Sequence, residues 1–220
     1  VASPTFTSDG TTGTYTLTCT VTDSLGTRAS NALTLVVGQH LWLDVTASRI
    51  QVVPGGGANG QARLAATPLG GSGSYTYAWT VTTPSGGTDN ARLSATDVAS
   101  PTFTSDATVG TYRIACTVTD ALGNQTSDAL HVQVMQALSV SVRTDRWYVL
   151  PGGGVNGTAT LTAVAVGGSG TYSTYSWTVT TPSGGTDDTR LSATDVASPT
   201  FTSDGTTGTY TLTCTVTDSL

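Results

Sequence analysis

The sequence GTYRIACTVT, which occupies residues 110–119, decides the fold of this chain of 220 residues. Apolar side chains alternate along it with mainly polar or small ones. An alternation with a period of two residues is typical of a β-strand that buries one face and exposes the other. The predicted buried face consists of Tyr112, Ile114, Cys116 and Val118.

The same kind of strand occurs twice more, as GTYTLTCTVT at residues 13–22 and again at residues 208–217. It belongs to a longer repeat, because residues 1–25 are identical to residues 196–220 and similar to residues 98–122. The copies are spaced by about 100 residues, a length that suffices for a small domain with its own core. The repeat therefore predicts a tandem array of small domains.

The composition predicts that these domains are all-β. Threonine is the most frequent residue, and glycine is also abundant, with 26 residues. The sequence contains no Lys and no Glu, so all eight cationic side chains are Arg and all fourteen anionic side chains are Asp. β-Branched residues and turn formers thus replace most of the strong helix formers.

The charge pattern excludes several classes of function. A net charge of −6 disfavours nucleic-acid binding, which needs clustered basic residues. No apolar run is long enough to cross a bilayer, so we predict no membrane insertion in this segment. The absence of Lys excludes Schiff-base catalysis and isopeptide cross-links that start from Lys.

One complete repeat extends over residues 39–135. Its apolar alternation predicts seven or eight short strands, and Gly- and Pro-rich turns such as PGGG at residues 54–57 separate them. Many short strands at regular spacing are typical of a β-sandwich. One of the predicted strands carries Trp79 at its centre.

Two stretches of this repeat resemble a known family. GSYTYAW at residues 73–79 and GTYRIACTVTDALG at residues 110–123 are similar to the polycystic-kidney-disease (PKD) domains and related bacterial immunoglobulin-like repeats. The repeat departs from the PKD pattern after the Trp strand, where PSGG at residues 84–87 replaces Gly-Asp-Gly. The resemblance implies extracellular spacers or interaction modules on surface proteins, secreted hydrolases or phage particles.

We therefore predict tandem immunoglobulin-like (PKD-like) β-sandwich domains arranged in a rod. Residues 1–38 form the C-terminal part of one domain, residues 39–135 a complete domain, and residues 136–220 a domain that lacks its last strand. The joints leave only about two or three residues between predicted strands, so neighbouring domains should abut. A strand of ten residues spans about 33 Å, which predicts a rise of about 35–45 Å per domain.

Six residues form the predicted structural core of the repeats. Each repeat has one Cys on the predicted inner face of its strand, so a disulfide within a domain is excluded. We interpret Cys116 as a small buried hydrophobe; an interchain disulfide would require its side chain to point outward. The core residues are Trp79, Tyr112 and Cys116, with Trp177, Tyr210 and Cys214 at the equivalent positions.

Two tryptophans do not recur and are candidate interface residues. Ser139 stands where Trp42 would repeat, and Ile50 stands where Trp147 would repeat. Alternation places Trp42 on an outer face, where a neighbouring domain or another chain would cover it. The alternative is ordinary local packing.

The aspartates cluster in predicted turns. Asp187 and Asp188 are adjacent and form the best candidate for a calcium site, since Ca²⁺ binds oxygen ligands. The alternative is that Asp side chains accept hydrogen bonds from turn amides. Apart from this calcium candidate, the sequence predicts no metal and no cofactor.

Nothing in the sequence indicates catalysis. His40 and His131 do not recur in successive repeats, and no Ser, His and Asp stand at the spacing of a hydrolytic triad. The Gly-rich stretches after Pro54 and Pro151 lack the Gly-Lys-Ser/Thr of a phosphate-binding loop. We predict that the chain is not an enzyme.

Our favoured hypothesis is a structural subunit of an extracellular stalk, fibre or filament, on a cell surface or a phage particle. Its partners would be neighbouring repeats of the same chain or further copies that associate into fibres. The alternative is an adhesin, or the carbohydrate-binding accessory repeats of a secreted or phage surface protein.

Overall fold

The computed structural model describes residues 3–219 of the chain. Fourteen β-strands and three 3-10 turns make up its regular structure, and no α-helix occurs in this range. The first unit, as we call it, consists of β1 (Gly13–Thr22) and β2 (Arg28–Val37). The prediction of an all-β chain is confirmed.

The middle unit, residues 41–134, contains seven strands. These are β3 (Trp42–Ala47), β4 (Gln51–Val52), β5 (Gln61–Leu69), β6 (Thr76–Thr82), β7 (Thr102–Thr104), β8 (Gly110–Thr119) and β9 (Gln125–Val134). One sheet has the order β3-β5-β7 and the other the order β4-β9-β8-β6. All neighbours are antiparallel except β4 and β9, which are parallel. This is an immunoglobulin-like β-sandwich.

The core of the middle unit lies between these two sheets. The stretch GTYRIACTVT at residues 110–119 forms β8 over its full length, and its side chains Tyr112, Ile114, Cys116 and Val118 are all buried. Trp79 of β6 is paired with Cys116 across the ladder and is also buried. The inner faces of β3 and β5 supply the opposing layer of the core.

The last unit, residues 139–218, repeats this architecture with five strands. They are β10 (Ser139–Thr144), β11 (Thr158–Val166), β12 (Tyr172–Thr180), β13 (Thr200–Thr202) and β14 (Thr211–Asp218). The sheets are β10-β11-β13 and β12-β14. Within the described residues, this unit has no counterpart of β9.

The first unit is a single hairpin. β1 and β2 pair over ten residues each, but almost every side chain in them is exposed. No second sheet packs on this hairpin within the described range. The 3-10 turns, at Ala58–Gly60, Asn90–Arg92 and Asp188–Arg190, lie in the other two units. No helix of residues 3–219 is long and apolar enough to span a membrane.

Candidate functional site

Three features of the surface and the joints bear on function: a clamp at each joint, an open groove on the last unit, and a few exposed aromatic residues. The first clamp is the contact between the joint at residues 39–40 and two consecutive glycines, Gly70 and Gly71, in the turn after β5. The amide of Gly71 donates a hydrogen bond to the Gln39 carbonyl at 2.8 Å. Gly70 has a φ of +75°, and a Cβ at this position would overlap the His40 carbonyl oxygen. The turn therefore lies directly against the segment that connects the first and middle units.

The second joint is held in the same way. The amide of Gly168 donates to the Gln136 carbonyl at 2.7 Å. Gly167 has a φ of +83°, and a Cβ there would overlap the Ala137 carbonyl oxygen. A side chain fits at neither glycine, so the close contact between turn and joint is a repeated feature of the chain.

A buried carboxylate stabilises the same end of the middle unit. Asp120 accepts hydrogen bonds from the amides of Ser72 at 3.0 Å, Leu122 at 3.0 Å and Asn124 at 2.9 Å. These bonds, with the Asn124 side chain as the largest contribution, lower the pKa of Asp120 to about 2. The carboxylate thus ties the turn after β5 to the turn between β8 and β9. Asp218 bonds to Ser169 at the equivalent place in the last unit.

A second cluster of charged residues lies beside β8. The Tyr112 hydroxyl donates to the Asp106 carboxylate at 2.8 Å, and Arg92 bridges Asp106 at 3.7 Å and Asp89 at 2.9 Å. The amide of Thr108 and the Tyr112 hydroxyl hold the pKa of Asp106 below its ordinary value. The last unit repeats this cluster with Tyr210, Asp204, Arg190 and Asp187. Each member has its partners within the unit, so the cluster anchors a loop to a strand.

The six predicted core residues lie inside the two sandwiches. Trp79, Tyr112 and Cys116 are buried in the middle unit, and Trp177 and Cys214 are buried in the last unit; Tyr210 is only half-buried. The indole N–H of each core Trp donates at 2.8 Å to a backbone carbonyl, of Val98 and of Val196 respectively.

The three cysteines differ in their exposure although their sequence surroundings are alike. Cys116 and Cys214 are buried, whereas Cys19 on the first hairpin is exposed; all three are free thiols. Burial raises the pKa of Cys116 to about 11, which keeps it a protonated thiol at neutral pH.

The two candidate interface tryptophans are both exposed. Trp42, on the outer face of β3, is 54% exposed, and Trp147, in the segment after β10, is 89% exposed. No neighbouring unit covers either ring in this structure. Their role in an interface stays a prediction.

The candidate calcium residues already have partners in the protein. Asp187 accepts from the Arg190 Nε at 2.7 Å, and Asp188 accepts from the Val179 amide at 2.8 Å. Bonds from the Thr189 side chain and from Arg190 lower the pKa of Asp187. Among residues 3–219, no three His, Cys, Asp or Glu side chains gather into a metal-binding group.

An apolar groove of about 680 Å³ opens on the last unit. It lies between β10 and β14, and its lining includes Val142, Tyr148, Val149 and Leu212. Val140 and Val142 of β10 are each 38% exposed, whereas their counterparts in β3, Leu43 and Val45, are 3% and 7% exposed. The groove is therefore the space that β9 fills in the middle unit.

Sequence reasoning missed the contact between the Gly-Gly turns and the joints, and the exposure of individual side chains in β10. The Gly-Gly pairs at residues 70–71 and 167–168 lie in turns, and only their contact with the joints gives them a second role. Their recurrence in both repeats was the signal that could have identified them. The groove residues Val140 and Val142 follow a buried-strand pattern, and no local signal marks them as exposed.

Comparisons with known proteins give alignments of low identity with solved structures. The crystal structure of murine CEACAM1b aligns over 81% of this chain and 93% of its own, with 13% identity and a TM-score of 0.37. The crystal structure of a tetra-tandem repeat in the extending region of a large adhesion protein aligns over 94% of this chain, with 18% identity and a TM-score of 0.34. This chain spans 48% of that structure. No protein-family model and no curated protein sequence matches the chain. At these values neither structure assigns a family or a function to it.

Proposed function

We propose that this chain is a structural segment of an extracellular stalk, fibre or filament built from tandem immunoglobulin-like repeats. The observation that carries the proposal is the repeated clamp, in which Gly70 and Gly71 contact the first joint and Gly167 and Gly168 contact the second. A joint that is bonded to the following unit bends less than a free linker of the same length. The extracellular location rests on the resemblance to PKD-like repeats.

The spacing role follows from this stiffness. The middle unit is a self-contained sandwich, and the buried side-chain polar atoms of the described residues all have hydrogen-bond partners. A series of such units at constant spacing sets a distance between whatever lies at its two ends. No residue of the clusters described above is left free for chemistry, since Asp106, Asp120 and Asp187 all serve loops or turns.

A distance measurement between units tests the proposal. One spin label is placed on the exposed Cys19 and a second on Thr80→Cys, which lies on the outer face of β6. The other two thiols are buried, so we expect them to react slowly. We expect a narrow distribution of distances between the labels. A distribution as broad as that of two domains on a flexible linker would contradict a spacer function.

Two glycine variants test whether the clamp is the source of the stiffness. Gly70→Ala introduces a Cβ against the His40 carbonyl and should broaden the distribution. Gly73→Ala is the matched control, because its φ of +73° imposes the same backbone strain while no atom lies within 4 Å of the new Cβ. Equal effects of the two substitutions would show that strain in the turn, and not contact with the joint, controls the spacing.

Carbohydrate binding is the second candidate function, and the adjacent exposed rings of Trp147 and Tyr148 favour it. Exposed aromatic rings stack on sugar faces. A glycan array with the wild-type chain, repeated with Trp147→Ala, tests this role. Binding that disappears in the variant would support it, and an array without any binding would exclude it for the glycans present.

A further inference from the structure

The outer face of the sheet β4-β9-β8-β6 in the middle unit carries no acidic side chain among its residues, all of which the structure describes. The chain as a whole is acidic, with a net charge of −6. We call this surface the acid-free face. Its outward side chains are Gln51 of β4, Thr76, Ala78, Thr80 and Thr82 of β6, Thr111, Arg113, Ala115, Thr117 and Thr119 of β8, and Gln125, Ser127, Ala129, His131 and Gln133 of β9. A face without carboxylates on an acidic chain can approach a negatively charged ligand without local repulsion.

Two basic side chains stand opposite each other on the acid-free face. Arg113 of β8 pairs with His131 of β9 across the ladder. Side chains in such a pair have Cβ atoms about 4.5–5.5 Å apart. Both are exposed, and within residues 3–219 neither side chain has a hydrogen-bond or ion-pair partner. Repulsion between an Arg and a protonated His opposite it lowers the stability of a sheet, so the fold gains nothing from this pair.

Gln133 places a third hydrogen-bond donor beside this pair. It follows His131 by two residues on the same face of β9, at a distance of about 7 Å along the strand. The Thr111 hydroxyl donates to the Gln133 Oε1 at 2.6 Å. Because this bond engages the carbonyl oxygen of the amide, the NH2 group of Gln133 can donate to a ligand. We call Arg113, His131 and Gln133 the donor cluster.

The neighbouring repeat has none of the three residues of the donor cluster. The first hairpin has Thr16, Thr34 and Val36 at the equivalent positions. In the last unit, Thr211 stands where Arg113 would recur. The hairpin β1-β2 nevertheless keeps the same ten-residue strands as β8 and β9. The strand pair therefore forms without the donor cluster, which is a specific property of the middle unit.

The rest of the acid-free face indicates the class of ligand. It carries no large apolar or aromatic side chain among its described residues, so it lacks the apolar core of a protein interface and the rings on which bases stack. One Arg provides too little charge for a nucleic-acid duplex. The face offers instead a flat array of hydroxyls, including Thr80 and the pair of Thr117 and Ser127, whose oxygens lie 2.8 Å apart. Such groups form hydrogen bonds with sugar hydroxyls.

We propose that the donor cluster binds a carboxylate of an acidic polysaccharide that lies along the acid-free face. The planar guanidinium of Arg113 donates to both oxygens of the carboxylate, as Arg does in bidentate pairs. His131 and Gln133 donate beside it, and the threonine hydroxyls contact the sugar ring. The site goes beyond the proposed spacer function and does not depend on it, because it belongs to one complete unit and uses no residue of the joints. It is also separate from Trp147 and Tyr148 of the last unit.

An NMR titration of the full chain with trigalacturonate tests the site. This short sugar carries one carboxylate on each ring, and its methyl ester is the same sugar without charge. We expect trigalacturonate to shift the amide signals of β8 and β9 around Arg113 and His131, and the methyl ester to shift none of them. An absence of shifts at millimolar sugar would overturn the proposal. Shifts of equal size with the ester, or shifts centred on Trp147, would overturn it too.

The neighbouring repeat supplies a substitution that the sheet tolerates, together with a matched control. Arg113→Thr should weaken binding of trigalacturonate by about tenfold or more, because it removes hydrogen bonds to a charged group. Arg63→Thr removes the same charge from the outer face of β5, where Thr160 is the equivalent residue in the last unit. It should change the affinity by less than about twofold. Equal losses in the two variants would show a response to net charge alone and would refute the site.

The other two members of the donor cluster are tested in the same way. His131→Thr and Gln133→Val each introduce the residue of the first hairpin, and each should weaken binding by about threefold. Denaturant unfolding of each variant checks that the middle unit remains folded. Wild-type affinity in both variants would contradict a site built from three residues.

Two further ligands separate a polysaccharide from other anions. A capped peptide of three aspartates carries the same number of carboxylates without sugar hydroxyls and should bind about tenfold more weakly than trigalacturonate. An equal affinity for the peptide would assign the face to acidic proteins and would remove the polysaccharide. Tighter binding of a short DNA duplex would remove it as well.

These measurements fail separately from the spacer test. A narrow distance distribution without sugar binding keeps the spacer function and removes the polysaccharide site. Sugar binding at the donor cluster with a broad distribution keeps the site and removes the stiff spacer.

Discussion

The Tyr112 hydroxyl allows the contribution of one side-chain hydrogen bond to be measured against an internal control. Tyr112→Phe removes the bond of 2.8 Å to the Asp106 carboxylate and leaves the buried ring in place. A hydrogen bond to a charged group contributes about 1.5–3 kcal/mol to stability. Asp106 keeps its bond from the Thr108 amide at 2.8 Å, so we expect a value near the lower end of this range.

Hydrogen exchange measures this loss of stability separately in each unit. The amides of β8 that exchange only when the middle unit opens should do so about tenfold faster in Tyr112→Phe. The amides of β14 should be unaffected, since the last unit has its own cluster around Tyr210. Because both sets are measured in one sample, differences in pH or temperature cannot produce the result.

The first hairpin supplies the matched variant. The Tyr15 hydroxyl lies 3.3 Å from the Asp9 carboxylate in an exposed setting, and no core surrounds its ring. Tyr15→Phe should therefore change exchange in β1 by less than about twofold. Similar effects of Tyr15→Phe and Tyr112→Phe, or an effect of Tyr112→Phe below twofold, would refute the argument that burial strengthens this bond.

Three further predictions concern titration, thiols and calcium. The folded pKa of Asp120, about 2, lies below the ordinary value of 3.8, so its contribution to stability is complete above pH 3.8 and is lost as the pH falls towards 2. In denaturant titrations at several pH values, Asp120→Asn should flatten the pH dependence of the free energy of unfolding in this window. An unchanged slope would contradict the prediction. A maleimide should modify Cys19 in the native chain and should reach Cys116 and Cys214 only after unfolding, as measured by mass spectrometry. Rapid modification of all three cysteines in the native chain would show that the cores open. Since Arg190 already binds the carboxylate of Asp187, neither excess calcium nor a chelator should shift the Tm of the last unit. A reproducible rise in Tm with calcium would contradict this and support a calcium site at these residues.

The internal repeat makes clear which parts of the fold were predictable. Alternation predicts a strand over residues 111–119, and the observed strand β8 differs only in beginning at Gly110, because alternation and the flanking turns are local properties of the sequence. The buried faces of β3, β5, β6 and β8 also follow from alternation. The clamp at the joints was not predictable, because it depends on a turn approaching a segment about thirty residues earlier in the chain.

Cys19 and Cys214 show which properties of a side chain depend on its local sequence and which depend on packing. They lie in identical stretches of 25 residues, at identical positions of a strand, and both strands form as the alternation predicts. Yet Cys19 is exposed and Cys214 is buried. The local sequence determines that each side chain points to the apolar face of its strand, since that depends on backbone geometry alone. Whether a second sheet covers that face is decided by residues far away in the chain, because burial is a property of the packed unit.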